Sequence, residues 1–137
     1  MKLMKNYYRA GSSDAAVILL LGSGGNNMLT KRVAKWFVKK GVSALCIGPE
    51  DGLGYHSFPL EHTEDAIQFL KDQGSRKIGI LGASITTIPA LVSAARFPEI
   101  TLTIAVTPCD FVLQGFSKEK RDGCAEWPVE GESMLIW

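Results

Sequence analysis

The chain has 137 residues, 46% of them hydrophobic and 21% charged, which is ordinary globular usage and excludes global disorder. A βαβ unit takes roughly 30 residues or more, so this length holds about four strand–helix repeats in one domain. Lys and Arg number 15 against 14 Asp and Glu, a formal net charge of +1, which excludes the electrostatic footprint of a nucleic-acid binder.

Leu3 to Tyr8 at the N-terminus reads as an added edge strand. Ala16 to Leu21 is a continuous apolar run closed by glycines, the pattern of a strand buried on both faces. With Ala15 it is the longest apolar run in the chain, too short to span a bilayer, where about 20 residues are needed. The opening residues Met1 to Lys5 carry no apolar signal-peptide core after them. No membrane partner is therefore expected. Leu29, Val33, Trp36 and Phe37 then recur at helical spacing, and Gly41 stops that helix at a C′ position.

Val42 to Ile47 reads as a second buried strand ending at Gly48-Pro49, followed by a glycine-containing loop from Glu50 to Pro59. Thr63 is a candidate N-cap for a helix with Ala66, Ile67 and Leu70 on one face, ended by Gly74. Lys77 to Leu81 is a third strand. After it come Gly82-Ala83-Ser84-Ile85-Thr86, a helix to about Arg96, and a fourth strand from Leu102 to Val106. Strands alternating with helices imply a doubly wound, mostly parallel sheet covered on both faces. The ligand site of such a sheet lies beyond the carboxyl ends of its strands.

A serine at Ser84 has a mechanical use there. A tight strand-to-helix turn lifts its hydroxyl above the sheet, and the helix N-terminus favours nearby negative charge. The backbone N–H of Ile85 can face a developing oxyanion. The usual pattern is G-x-S-x-G; here Thr86 replaces the last glycine and adds a side chain where strand and helix pack closely. Gly22-Ser23-Gly24-Gly25-Asn26-Asn27 is the second element, with Gly24 and Gly25 suited to supply a second oxyanion donor. As a dinucleotide loop it fails G-x-G-x-x-G at Asn27, and no acidic residue closes the next strand. No cofactor is expected. Cys46, Cys109 and Cys124 are an odd number without a metal spacing, so no metal is expected and a reducing cytoplasm is the default compartment.

In Leu19 to Gly25, Phe58 to Glu61, Ile78 to Ser84, Phe97 to Thr101, Ala105 to Pro108 and Trp127 to Trp137, the chain resembles the C-terminal catalytic domain of acyl-CoA thioester hydrolases and bile acid-CoA:amino acid N-acyltransferases, within the α/β-hydrolase superfamily. The resemblance implies an α/β-hydrolase core of about four or five strands, truncated at the C-terminal side, with residues 1–137 forming a single partial domain. It places Ser84 at the nucleophile position, Ile85 at the first oxyanion donor, and Gly24 and Gly25 in the loop of the second. Cysteine is associated with the N-acyltransferase branch, so serine favours the hydrolase branch, acting on acyl esters or thioesters such as acyl-CoA.

Two departures from that pattern stand out. Thr86 breaks the last elbow glycine, and Pro89 falls in the second turn of the following helix, where a missing N–H removes a hydrogen bond. The family's acid and histidine follow later strands, whereas no histidine occurs after His62 and the chain closes on Met134-Leu135-Ile136-Trp137. The expectation is a fragment of a longer hydrolase, or a truncated gene product, nearly inactive by itself.

His56 and His62 are weak substitutes for the base, and Asp51 and Asp110 weak candidates for the acid. Cys46 reads as a buried small hydrophobe. Ser84 has a plainer reading as the N-cap of its helix. One rival reading is a non-catalytic domain holding a nucleotide or phosphate over Gly22 to Asn27. Another is an interaction-only remnant that self-associates through edges exposed by truncation.

Overall fold

A computed structural model describes residues 3–11, 13–21, 28–49 and 59–108. In chain order the elements are β1 (Leu3–Tyr8), β2 (Ala15–Leu21), α1 (Met28–Lys39), β3 (Ser43–Pro49), α2 (Glu61–Asp72), β4 (Lys77–Ala83), a short 3-10 turn (Ser84–Thr86), α3 (Thr87–Arg96) and β5 (Ile100–Val106). They build a five-stranded sheet in the order β1-β3-β2-β4-β5. Pairs β2–β3, β2–β4 and β4–β5 are parallel, and β1 lies antiparallel along β3.

Side-chain alternation along the central strands explains the layers. Ala16, Ile18 and Leu20 of β2 point to one face, where Ile78 and Ile80 of β4 join Ala66, Ile67 and Leu70 of α2 and Ala90 of α3. Val17 and Leu19 point to the other, with Ala44 and Cys46 of β3 and Ala34, Val33 and Phe37 of α1. Both faces of β2 are therefore buried, and the continuous apolar run is what that burial requires. The sheet is doubly wound, with α1 on one side and α2 and α3 on the other.

Two helices end where glycine marks their ends. Gly41 has φ 82° and Gly74 φ 92°. The N–H of Val42 reaches the Phe37 carbonyl at 3.0 Å, and that of Ser75 the Leu70 carbonyl at 2.9 Å. Each bond closes a left-handed C-terminal cap that a side-chain-bearing residue enters at a cost.

Three sequence expectations need correction. Thr63 is not an N-cap: α2 starts at Glu61 after Leu60, and Thr63 is fully buried with its hydroxyl 3.0 Å from that of Ser93 on α3. The pair satisfies two buried hydroxyls across the α2–α3 contact. Pro89 lies in the first turn of α3, not the second, where backbone N–H groups have no intrahelical partner to lose. The third parallel strand runs on through Gly82 and Ala83, because both pair with β2 and β5: Gly82 with Leu20 and Ala105, Ala83 with Leu21 and Val106.

Cys46 is fully buried, and burial pushes its thiol up to about 12. Only the thiolate reacts readily. Iodoacetamide at pH 8 should therefore leave Cys46 unmodified in the folded chain and alkylate it after denaturation, as peptide mass mapping would show. Native-state alkylation of Cys46 would contradict the fold.

Candidate active site

The sheet changes direction between β2 and β4. From β2 the chain winds through α1 to β3 on one side, then returns through α2 to β4 on the other. At such a switch point the loops leaving neighbouring strands part, and a crevice opens at their carboxyl ends. Leu21 and Ala83 are partners in the β2–β4 register, so the segment leaving β2 starts about 4.8 Å from the chain entering Ser84.

Ser84 is the turn itself. Ala83 before it is still extended, at φ −132° and ψ 133°. Ser84 has φ 55°, a left-handed conformation rare for a residue with a side chain. Thr86 and Thr87 are back in the right-handed helical region, at φ −88° and −64°. The whole reversal from strand to helix is thus concentrated in one residue. The Ser84 side chain is exposed, while Ile85, Thr86 and Thr87 are buried. Ser84 caps nothing: Ala83 precedes the 3-10 turn and Thr86 precedes α3. The plainer reading of Ser84 as an N-cap therefore does not hold.

Gly82 makes the sharp turn sterically feasible. A Cβ there would overlap the Thr86 carbonyl oxygen and lie 2.8 Å from the Ala90 Cβ. The helix packs directly on the strand backbone at that point. Thr86, standing where the pattern expects glycine, does not hold strand and helix apart. Its side chain is fully buried. Its hydroxyl accepts the Ala83 N–H at 2.8 Å and donates to the Leu20 carbonyl on β2, with the Ala83 carbonyl 2.9 Å away. Thr87, also fully buried, donates its hydroxyl to the Ser84 carbonyl at 2.7 Å. Motif reading did not single out Thr87. The available signal was a second hydroxyl in succession where a helix interior disfavours threonine.

The first N–H groups of the turn, Ile85 among them, have no partner within it. An exposed hydroxyl beside such donors is the arrangement that nucleophilic attack with oxyanion stabilisation uses. His62 lies in the first turn of α2. Burial pulls the His62 imidazole below the ordinary 6.5; Asp65 and Glu61 oppose that, and Lys5 adds to it. Gly24, Gly25, Asp51, His56, Cys109, Asp110, Cys124, Trp127 and Trp137 lie outside the described residues. Among the described residues no group of three His, Cys, Asp or Glu could hold a metal ion, and no helix is long and apolar enough to cross a membrane. An apolar cavity of about 280 Å³ lies among Ala15, Phe37, Val42, Lys77, Gly79 and Leu102. It sits at the amino ends of β2 and β4, away from Ser84.

The fold of this chain is similar to that of solved structures. The chain superposes on an α/β hydrolase, GrgF, from Penicillium sp. sh18 with a TM-score of 0.62 at 20% identity, over 79% of this chain and 46% of that one. This chain has the α/β-hydrolase fold. A cold-adapted esterase from an Arctic intertidal metagenomic library gives 0.63 at 25% identity, over 75% of this chain and 54% of the esterase. A putative α/β hydrolase from Agrobacterium tumefaciens gives 0.65 at 20% identity, over 80% and 58%. This hydrolase-fold chain therefore spans about half the length of the structures it is similar to. No protein-family model and no curated protein matches it.

Two outcomes follow for the elbow. Gly82→Ala should destabilise the chain by about 1–3 kcal/mol in urea unfolding, the usual cost of overpacking; an unchanged midpoint would contradict the close approach. Ser84→Gly should do the reverse. A left-handed residue with a side chain costs about 1–2 kcal/mol, and glycine forfeits roughly 0.5–1 through its freer unfolded state. A net gain of up to about 1.5 kcal/mol is expected, and a loss in the same unfolding experiment would contradict the strained φ.

Proposed function

We propose that this chain is the nucleophile-bearing part of a hydrolase of acyl esters or thioesters, with Ser84 as nucleophile. One observation carries the reading: Ser84 is exposed, at φ 55°, on the carboxyl end of β4 at the switch point of the sheet. A left-handed non-glycine residue persists only where its surroundings enforce it, and such strain concentrates at functional sites. The hydrolase fold and an esterase at 25% identity support the same chemistry.

In this reading the Ser84 hydroxyl oxygen attacks the acyl carbonyl carbon. Negative charge moves to the carbonyl oxygen and is met by the Ile85 N–H, with the Gly24-Gly25 segment providing the second donor. The tetrahedral centre collapses, the bond to the alcohol or thiol breaks, and the leaving group takes up a proton. Water then releases the acyl group from Ser84. The serine proton needs a base. The reading assigns the base and its acid partner to residues outside the described ones. Without a base, rates fall by several orders of magnitude, and slow turnover is expected of the 137-residue chain. The thioester branch, with acyl-CoA as substrate, is supported by the sequence resemblance alone.

A fluorophosphonate probe followed by peptide mapping tests this. The expected result is slow, stoichiometric labelling at Ser84, absent from Ser84→Ala. Incubation with a short acyl-CoA should likewise leave an acyl mass on the Ser84 peptide. No adduct on Ser84 in the folded chain would overturn the reading, and tight nucleotide binding without acylation would favour the phosphate-binding rival instead.

A further inference from the structure

Two buried threonine hydroxyls hold the backbone around Ser84, one on the peptide that enters Ala83 and one on the peptide that leaves Ser84. We propose that Thr86 and Thr87 are a pair of positioning residues that hold Ser84 and the Ile85 N–H in their reactive orientation. The inference rests on the reading of Ser84 as nucleophile and deepens it.

Thr86 acts on the approach to the turn. Its hydroxyl takes the Ala83 N–H at 2.8 Å and gives its proton to the Leu20 carbonyl across on β2. Leu20 and Leu21 are the β2 partners of Gly82 and Ala83. The β2–β4 ladder stops where β4 turns away, and the threonine hydroxyl bridges the two strands at that point. The incoming chain is therefore tied to the strand that borders the crevice, not merely to its own helix.

Thr87 acts on the exit. Its hydroxyl donates to the Ser84 carbonyl at 2.7 Å, and its own N–H bonds to the same oxygen. That carbonyl shares a planar trans peptide with the Ile85 N–H, so the two dipoles point in opposite directions. Drawing the carbonyl down toward Thr87 aims the Ile85 N–H away from the helix, on the side of the exposed serine. With the plane leaving Ser84 held by Thr87 and the peptide entering Ala83 tied through Thr86 to β2, the chain has little freedom to relax Ser84 out of φ 55°.

Both threonine side chains are fully buried. A buried hydroxyl needs a partner, and each finds it on the backbone flanking Ser84. A glycine at the position of Thr86 would fit the close packing but would leave the Ala83 N–H and the Leu20 carbonyl without this link.

Fluorophosphonate labelling of the full chain separates this role from simple stability. Labelling amplitude reports the folded fraction. The maximal rate constant reports how Ser84 is presented, and the half-saturating probe concentration reports probe binding. Thr86→Val and Thr87→Val keep the shape and remove the hydroxyl; each should lower the maximal rate constant by about tenfold or more with half-saturation unchanged. Thr86→Ser and Thr87→Ser restore the hydroxyl and should stay within about threefold of the parent, since the bond rather than the methyl carries the effect. If a valine variant fails to fold, the alanine variant at that position is read the same way. Parental rates in the hydroxyl-free variants, or equal losses in the serine variants, would overturn the positioning role while leaving Ser84 as nucleophile. A parent chain that is never labelled at Ser84 would overturn both.

Discussion

The site depends on a close approach of backbone to backbone at the carboxyl end of β4. The chain has to leave a central strand and enter a helix that packs back on the same strand. Only one residue, Ser84, is given to the reversal. That is possible because Gly82 carries no Cβ and the Thr86 carbonyl and Ala90 can lie against it. The geometry around Ser84 follows from this constraint. The hydroxyl stands out because the turn is sharp, and the N–H behind it has no partner within the helix because the turn opens that helix.

The rest of the fold supplies the rigidity such a turn needs. β2 and β4 are buried on both faces, with Ile18, Leu19, Leu20 and Ile80 fully inaccessible. Their parallel pairing extends without interruption from Ala15–Lys77 to Leu21–Ala83. A strained residue at the end of an unsupported strand would relax by shifting the strand. Here β4 is hydrogen-bonded on both sides up to the residue before the turn. The strain is confined to a single φ angle, and two threonine hydroxyls stand on either side of it.

Much of this was legible in the sequence, for stated physical reasons. Apolar runs in β2 and β3, glycines after α1 and α2, and the glycine two before Ser84 each encode a local requirement, and each is found where the pattern places it. What was not legible depended on tertiary partners. Thr63 has an N-cap's chemistry, but its hydroxyl is used by Ser93, which lies 30 residues away. Pro89 looked disruptive because the helix start was set at Ser84; the intervening 3-10 turn moves it into the tolerant first turn. Thr86 looked like a defect in the motif because a one-dimensional pattern scores the missing glycine and not the carbonyl of Leu20 waiting on the neighbouring strand. The histidines gave no comparable signal: a lone His62 beside Asp65 and Glu61 reads the same whether it serves a site or a helix surface.

The central claim is that Ser84 is held in a left-handed conformation in solution, with its hydroxyl free of the helix it precedes. Nuclear magnetic resonance of the isotopically labelled chain tests this most directly, through the intraresidue distance between the Ser84 amide and Cα protons and its backbone carbon shifts. A short amide–Cα proton distance, with φ near 55°, is the result the account predicts. A negative φ, with the Ser84 hydroxyl bonded to a helix N–H in the manner of an ordinary cap, would contradict it.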